Sequence, residues 1–295
     1  TLHGYIRHKR KYYPSVPIIS VGNITVGGSG KTPVVQYIAQ YFSEQKHKVI
    51  IVSRGYGGSF KGPYLVTEKD KPTQIGDEPA MLAKNLKKYK VKVVIGRCRR
   101  SAVQLAEEQG ATLILLDDGF SRTDIHKTCD ILIFDGKTLF GNSFVLPAGP
   151  LRCLKSKVKK ADFNIIINPK NTHFIGGLAY RITADINIEN INENKDYLAF
   201  CGLGQPQKFY DALARKNIHI LDTFSFPDHH AYSHEDLENL KNYAEKYKTL
   251  CLTTEKDFVK IPLKYRPFIQ PITLNLYGDD LENVTAEIEK ALAKL

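Results

Sequence analysis

Three kinds of feature are missing from this chain of 295 residues. It has no run of 18 or more apolar residues, which excludes a segment of the usual length for a membrane-spanning helix. The five cysteines, at positions 98, 129, 153, 201 and 251, are odd in number and form no C-x-x-C pair, so we predict neither a zinc site nor a disulfide framework. This pattern fits a reducing cytosol. No internal repeat or low-complexity tract is evident.

Positive charge is in excess, with a net charge of +11. Such an excess favours anionic partners, namely nucleic acid, an anionic membrane surface or phosphorylated substrates. Basic residues concentrate at 7–11, with tyrosines at 5, 12 and 13 among them, and again at 97–100 and 155–160. A basic and aromatic segment near a chain end suits a membrane interface, and a solvated basic surface is the alternative.

The segment at residues 25–32, TVGGSGKT, is the most informative part of the sequence. It lies between the apolar runs PIISVG and PVVQYI, in the order strand, glycine-rich turn, helix. Backbone N–H groups in such a turn bind phosphate, Lys31 can reach the β/γ-phosphates, and the Thr32 hydroxyl can ligate Mg²⁺. The predicted nucleoside triphosphate site consists of Thr25, Val26, Gly27, Gly28, Ser29, Gly30, Lys31 and Thr32.

One position of this loop departs from the usual pattern. G-x-x-x-x-G-K-[ST] would place glycine at position 25, where this chain has Thr25. The alternative to a phosphate site is a glycine-rich turn that leads into a helix without binding a ligand.

Short apolar runs alternate with amphipathic ones along the chain. We predict strands at 17–21, 48–53, 91–95, 112–117, 130–134 and 163–167, and helices at 33–45, 78–88 and 101–109. The fold class is therefore α/β, P-loop NTPase-like, with a mostly parallel sheet whose ligands bind at the carboxyl ends of the strands. Residues 1–185 are assigned to this core and its basic N-terminal segment. Residues 186–295 are assigned to a smaller α/β lobe and a closing helix.

Two carboxylates end the apolar run LILL at residues 113–116, as in a Walker B element. Mg²⁺ that bridges phosphates prefers such oxygen ligands near a P-loop. Of Asp117 and Asp118, one is expected near Mg²⁺ and the other toward the reacting centre or a basic partner. A turn at the end of a strand is the alternative interpretation.

Two further motifs carry acid–base groups. In GDEP, Asp77 can accept the proton of an attacking hydroxyl, or it can simply cap the following helix. In FPDHHAY, a histidine can orient a catalytic carboxylate, or both histidines can lie in a surface loop. Adjacent histidines without a Cys or acidic partner at metal spacing do not fit a zinc site.

Several arginines are candidate clamps for phosphate or for an anionic substrate group. Arg54 and Tyr56 lie in SRGYGG, and Arg97 and Arg99 follow a predicted strand. Arg152 ends the Pro/Gly-rich segment at 142–152, which ordinary loop structure explains equally well.

Taken together, the motifs VGNITVGGSGKTP, SRGYGG, GDEP, LDDGF, LPAGPLR, FPDHHAY and LTTEKD resemble the tetraacyldisaccharide 4′-kinase (lipid A 4′-kinase) family of Gram-negative bacteria. Thr25 belongs to that family's form of the loop. The resemblance implies transfer of the ATP γ-phosphate to the 4′-hydroxyl of a tetraacylated glucosamine disaccharide 1-phosphate, giving lipid IV-A, with Mg²⁺. It also implies action at the cytoplasmic face of the inner membrane and a smaller lobe that closes over the nucleotide.

The same resemblance implies roles for individual residues. Asp77 corresponds to the general base, His229 to its paired histidine, and Asp117 and Thr32 to the contacts with Mg²⁺. The remaining implied contacts are Lys31 and Asp118 in catalysis and Tyr56, Arg99 and Arg152 with substrate or phosphate. The family commonly has Gln-His where this chain has Ser121-Arg122, and Glu where it has Cys153, so roles at these positions do not carry over.

An apolar N-terminal helix at the membrane is also implied by the resemblance. The sequence does not begin with Met, and we expect this helix to be absent or shortened here, with residues 5–13 as its basic end. The expected protein is a monomer that binds no nucleic acid.

Three other functions compete with this interpretation. A GTPase switch should carry N-K-x-D, and the near matches at 194–196 and 255–257 have the wrong order. A nucleic-acid-dependent ATPase would explain the net charge of +11. A kinase for a soluble sugar would use the same donor site.

Overall fold

The computed structural model describes residues 11–169 and 177–294, and most of their strands are buried on both faces. The strands are β1 Ile18–Gly22, β2 Val49–Ser53, β3 Tyr64–Leu65, β4 Lys92–Ile95, β5 Leu113–Asp117, β6 Cys129–Asp135, β7 Phe163–Ile167, β8 Ala179–Ile186, β9 Asp196–Cys201, β10 His219–Ser225, β11 Leu250–Thr254, β12 Ile269–Ile272 and β13 Leu274–Tyr277. The helices are α1 Lys31–Glu44, α2 Pro72–Ile75, α3 Asp77–Asn85, α4 Arg99–Glu108, α5 Gln207–Arg215, α6 His234–Lys246, α7 Glu255–Phe258 and α8 Asp280–Leu292.

Nine strands form the larger sheet, in the order β13-β8-β7-β6-β1-β5-β2-β4-β3. Only the two edge strands, β3 and β13, run antiparallel to their neighbours. The inner strands β1, β2, β5 and β7 are buried along their whole length, which is why each reads as a continuous apolar run. The predicted α/β class with a mostly parallel sheet is confirmed.

Alternate residues of each inner strand supply the two cores that lie on either side of this sheet. Ile19 and Leu115 pack with α1, α3 and α8 on one face. Ile18 and Ile114 pack with α4 on the other face. This alternation follows from the two-residue period of a strand. As a result, helices pack on both faces of the sheet.

The smaller sheet contains four parallel strands in the order β10-β9-β11-β12. Helix α5 packs on one face, where Phe209 and Leu213 contact the β9 side chains, and α6 packs on the other through Leu237 and Leu240. This second α/β unit matches the predicted smaller lobe in its elements.

The chain returns to the larger sheet at its C-terminal end. Strand β13 pairs with β8 at the edge of that sheet, and Val284 and Ile288 of α8 are buried in its core. The sequence-based division places these elements in the smaller lobe, because α8 follows that lobe directly along the chain. In the structure, β13 belongs to the larger sheet instead, and α8 packs on that sheet. The apolar stripe of α8 covers β6 and β8, which α1 does not cover.

No helix in the described ranges is both long enough and apolar enough to cross a membrane. The predicted basic segment lies mostly outside the described residues, since residues 1–10 fall there. Tyr12 is described, and its backbone pairs with Asp124 and His126 beside the larger sheet.

Replacement of Ile288 by alanine tests the packing of α8. The side chain is fully buried, so Ile288→Ala should lower the free energy of unfolding by about 2–5 kcal/mol. The control is Lys290→Ala on the exposed face of the same helix, with an expected change within about 0.5 kcal/mol. Chemical unfolding of both variants provides the measurement, and equal losses would contradict this packing.

Candidate active site

The glycine-rich loop leaves β1 at Gly22 and leads into α1, which begins at Lys31. Gly30 has φ +80°, and a Cβ there would lie 3.3 Å from Ile167, so the position requires glycine. Ser29 is buried, and within the described part of the chain its hydroxyl has no hydrogen-bond partner. The loop therefore has the turn geometry and a spare polar group that phosphate binding requires.

A second loop holds Arg152 against the glycine-rich loop by backbone pairing. Val26 N–H donates to the carbonyl of Pro150 at 2.8 Å, and Arg152 N–H donates to the carbonyl of Ile24 at 2.7 Å. The Arg152 guanidinium donates to both oxygens of Asp118, at 3.1 and 2.8 Å. Arg152 therefore lies at the phosphate site for a structural reason that the sequence does not show.

Asp118 lies between two cations. Its Oδ1 is 3.8 Å from Lys31 Nζ, in addition to the contact with Arg152. Its backbone φ of +56° turns the side chain away from the direction of Asp117. Of the two predicted roles for the aspartate pair, Asp118 is thus the one that faces basic partners.

Asp117 is the candidate for the metal contact. It ends β5, is buried, and accepts a hydrogen bond from the Ser53 hydroxyl at 3.0 Å. Burial raises the pKa of its carboxyl, and the nearby Glu78 raises it further, while Lys31 acts in the opposite direction. A buried carboxylate with acidic neighbours is a suitable ligand for a cation such as Mg²⁺.

Few protein groups are available to this cation. Thr32, at the start of α1, supplies the second predicted contact through its hydroxyl. No cluster of three or more His, Cys, Asp or Glu side chains within residues 11–169 and 177–294 is arranged to hold a metal.

The second constellation joins the two lobes. Asp77 begins α3 of the larger body, and its Oδ2 lies 3.0 Å from Nδ1 of His229, which follows β10 in the smaller lobe. His229 has φ +60°, and its ring lies 5.1 Å from the ring of Tyr56, centroid to centroid. The structure thus brings Asp77, His229 and Tyr56 together. The resemblance implies the pairing of Asp77 with His229, whereas the position of Tyr56 beside them was not predicted.

The sequence of this chain matches one family profile along nearly its whole length. That profile, tetraacyldisaccharide-1-P 4′-kinase, covers residues 3–293. The chain belongs to this family. Tetraacyldisaccharide 4′-kinases of Gluconobacter oxydans and Aliivibrio salmonicida are 33% and 35% identical to it, over 91% and 88% of this chain and 83% and 80% of theirs.

A solved structure supports the same conclusion. The crystal structure of the apo form of LpxK from Aquifex aeolicus in complex with ATP matches with a TM-score of 0.80 at 28% identity. The match covers 96% of this chain and 90% of that chain. The protein is therefore a kinase, with the tetraacyldisaccharide 4′-kinase function that the combined motifs predict.

Arg99 of the kinase occupies a different position from the predicted substrate contact. Its side chain is buried beneath the site and donates to the carbonyls of Gly96 and Asp117. Burial lowers its pKa to about 10, while Asp117 and Asp118 act in the opposite direction. The arginine remains charged at neutral pH, and its contacts indicate that it holds the end of β5 in place.

Two further arginines of the motifs and two positions that depart from the family pattern have the following surroundings. Arg54 and Arg97 are exposed side chains, Arg122 pairs with Asp124, and Cys153 is half-buried. Burial raises the pKa of the Cys153 thiol, so it does not replace the glutamate that the family commonly carries there.

Sequence reasoning missed several lysines that surround the kinase site. Lys256 Nζ lies 3.4 Å from Nε2 of His229 and 3.3 Å from Asp228. Lys208 pairs with Asp135 at 2.6 Å and lies 3.4 Å from the carbonyl of Gly28. The LTTEKD motif contains Lys256, and this was the only signal that could have identified it.

Two arginine variants distinguish the buried structural contacts of Arg99 from the contact that Arg152 makes with Asp118. Arg99→Ala leaves two buried carbonyls without donors and should lower the free energy of unfolding by about 1–3 kcal/mol. Arg152→Ala removes a half-exposed side chain, so its cost should stay below about 1 kcal/mol while turnover falls. Thermal unfolding and steady-state kinetics measure both, and a reversed pattern would contradict these assignments.

Proposed function

We propose that this kinase, acting as a monomer, transfers the γ-phosphate of ATP to the 4′-hydroxyl of a tetraacylated glucosamine disaccharide 1-phosphate, a precursor of lipid A. The observation that supports this most directly is the contact between Asp77 and His229. It provides an oriented carboxylate in a chain that also has a glycine-rich loop suited to phosphate, and a phosphotransferase with an alcohol acceptor requires both.

On the donor side, the backbone of residues 25–30 binds the phosphates of ATP, and Lys31 neutralises charge on them. Thr32 and Asp117 would hold Mg²⁺, which supplies charge neutralisation on the phosphates. Arg152 and Lys31 both contact Asp118 here, so each is within reach of the incoming phosphates. Their two positive charges at one point favour a group with concentrated negative charge.

On the acceptor side, Asp77 removes the proton of the 4′-hydroxyl. Its Oδ2 is occupied by His229, whereas Oδ1 accepts no hydrogen bond from any residue in the described ranges. Oδ1 is therefore the atom that receives the proton as the hydroxyl oxygen attacks phosphorus. The hydrogen bond that the Nδ1–H of His229 donates to Oδ2 keeps the carboxylate in this orientation.

An assay with the proposed substrates tests this function. The parent chain with Mg-ATP and tetraacyldisaccharide 1-phosphate should give a product heavier by one phosphoryl group. Asp77→Ala should reduce kcat by about 10²–10⁴-fold and leave ATP affinity nearly unchanged, because the carboxylate contacts the acceptor alone. Mass spectrometry and nucleotide titration are the measurements.

Three results would contradict the proposal. They are near-normal kcat in Asp77→Ala, absence of product from active, lipid-solubilised parent protein, and equal turnover of unacylated glucosamine phosphates. Stimulation of ATP hydrolysis by DNA or RNA would favour a nucleic-acid-dependent ATPase.

We also place this kinase at an anionic membrane surface on the cytoplasmic side. Three large apolar side chains, Phe144, Leu146 and Leu154, are 62%, 51% and 65% exposed beside Arg152. Backbone hydrogen bonds of Leu151 with residues 144 and 146 bring these segments together. Exposed lysines follow at 155, 157, 159 and 160. Apolar side chains beside basic ones are suited to the boundary of an anionic bilayer.

Serine substitutions test this surface. Phe144→Ser combined with Leu154→Ser should weaken binding to phosphatidylglycerol vesicles about tenfold or more, because the apolar contact area is lost. Leu263→Ser is the control, since Leu263 is 77% exposed but lies in the smaller lobe. Vesicle sedimentation provides the measurement. Equal binding by the double variant and the parent would exclude this surface, and turnover in detergent micelles should not change.

A further inference from the structure

Lys260 carries a buried ammonium group that the reaction described above does not use. Its side chain is 7% exposed, and Nζ lies 2.8 Å from Oδ1 of Asp257 and 3.7 Å from Oδ2 of Asp77. Asp257 is fully buried, whereas Asp77 is the proposed base. A buried charge is costly unless it is paired, so the position of this lysine between two carboxylates requires an explanation.

Asp257 is held rigidly by the smaller lobe. Its Oδ2 accepts hydrogen bonds from the Thr254 hydroxyl at 2.7 Å and from the Gly202 N–H at 3.0 Å. The Asp257 N–H donates back to the Thr254 hydroxyl at 3.1 Å. Because the carboxylate cannot rotate freely, it fixes the ammonium group of Lys260 in turn.

An aromatic face covers another side of the same ammonium group. Lys260 Nζ lies 5.0 Å from the centroid of the Tyr232 ring, within the range of a cation–π contact. Burial raises the pKa of the Tyr232 hydroxyl, and Asp257 raises it further, so tyrosine stays neutral. It therefore does not compete with Asp77 for the positive charge.

The two groups that the smaller lobe directs at Asp77 both meet Oδ2. His229 contacts it at 3.0 Å and Lys260 at 3.7 Å. Glu78 follows Asp77 on α3, while Lys256 and Asp228 lie beyond the far nitrogen of His229. Lys260 is thus the nearest full positive charge to the carboxylate among the described residues. An ion pair with Asp257 alone would not require the Lys260 ammonium group to lie this close to Asp77.

We propose that Lys260, anchored by Asp257, is a positioning residue that keeps Asp77 turned with Oδ1 toward the acceptor hydroxyl. This rests on the proposed role of Asp77 as base. Because Asp77 belongs to the larger body and Lys260 to the smaller lobe, the base is ready only when the two are in contact. The ion pair with Lys260 at Oδ2 leaves Oδ1 for the acceptor, and its loss lets the carboxylate rotate out of this orientation.

Steady-state kinetics of the full chain test this inference. With Mg-ATP and tetraacyldisaccharide 1-phosphate, Lys260→Met should lower kcat about tenfold or more, because the base is no longer held in its orientation. Lys260→Arg keeps the charge and should restore much of the lost kcat. The KM for ATP should not change, because Lys260 faces the acceptor side.

Two further variants control for a purely structural role. Asp257→Asn removes the carboxylate that fixes Lys260, so kcat should fall as in Lys260→Met, and the two losses should not add in the double variant. Lys84→Met removes a lysine from the same lobe contact, where Lys84 Nζ lies 4.5 Å from the Phe258 ring. Lys84 lies seven residues beyond Asp77 on α3, about 10 Å along the helix, so its loss should leave kcat unchanged.

The possible results are distinct. An unchanged kcat in folded Lys260→Met, or losses in Lys260→Met and Asp257→Asn that add fully in the double variant, would overturn the inference and leave the proposed function intact. A parent chain without turnover would overturn both. If Lys260→Met does not fold, Lys260→Arg and Asp257→Asn decide the matter, because a nearly parental kcat is expected in the first and a lowered kcat in the second.

Discussion

The parallel register of β1, β2 and β5 is the constraint on which the donor site depends. Val21 of β1 lies opposite Asp117 of β5, and Val52 of β2 lies opposite Leu116. Parallel strands direct their carboxyl ends to one edge, so the phosphate loop, Ser53 and Asp117 meet there. Burial on both faces makes this register costly to change, because a slip of one residue would exchange the two cores.

The proposed acceptor side depends on a contact between the larger body and the smaller lobe. Asp77 and His229 are 152 residues apart, and they meet because α3 and α7 pack across the two lobes. Asn85 donates to Glu255 at 2.8 Å in this contact. The two groups that contact the Asp77 carboxylate, namely His229 and Lys260, both come from the smaller lobe, so the larger body alone would lack both contacts.

Much of the fold could be predicted because its signals are local. The runs at β1, β2, β5 and β7 are apolar and short, and the glycine-rich turn predicted that a helix follows it. Helix α1 begins at Lys31, two residues before the predicted start at 33. The location of α8 could not be predicted, because its apolar stripe fits any open face and only β13 pairing with β8 selects one. Arg99 could not be distinguished from Arg152 for a similar reason: an arginine near a motif looks the same whether it is buried or exposed.

The sequence by itself determined the fold class and the strand–turn–helix order of the glycine-rich segment, because these follow from the order of residues a few positions apart. It also predicted the candidate acid–base residues. Only the tertiary structure decided which aspartate meets Arg152, that Arg99 lies beneath the site, and that Lys260 reaches Asp77 at 3.7 Å. Those relations join residues far apart along the chain. Their distances depend on how two packed lobes meet, and no local pattern encodes that distance.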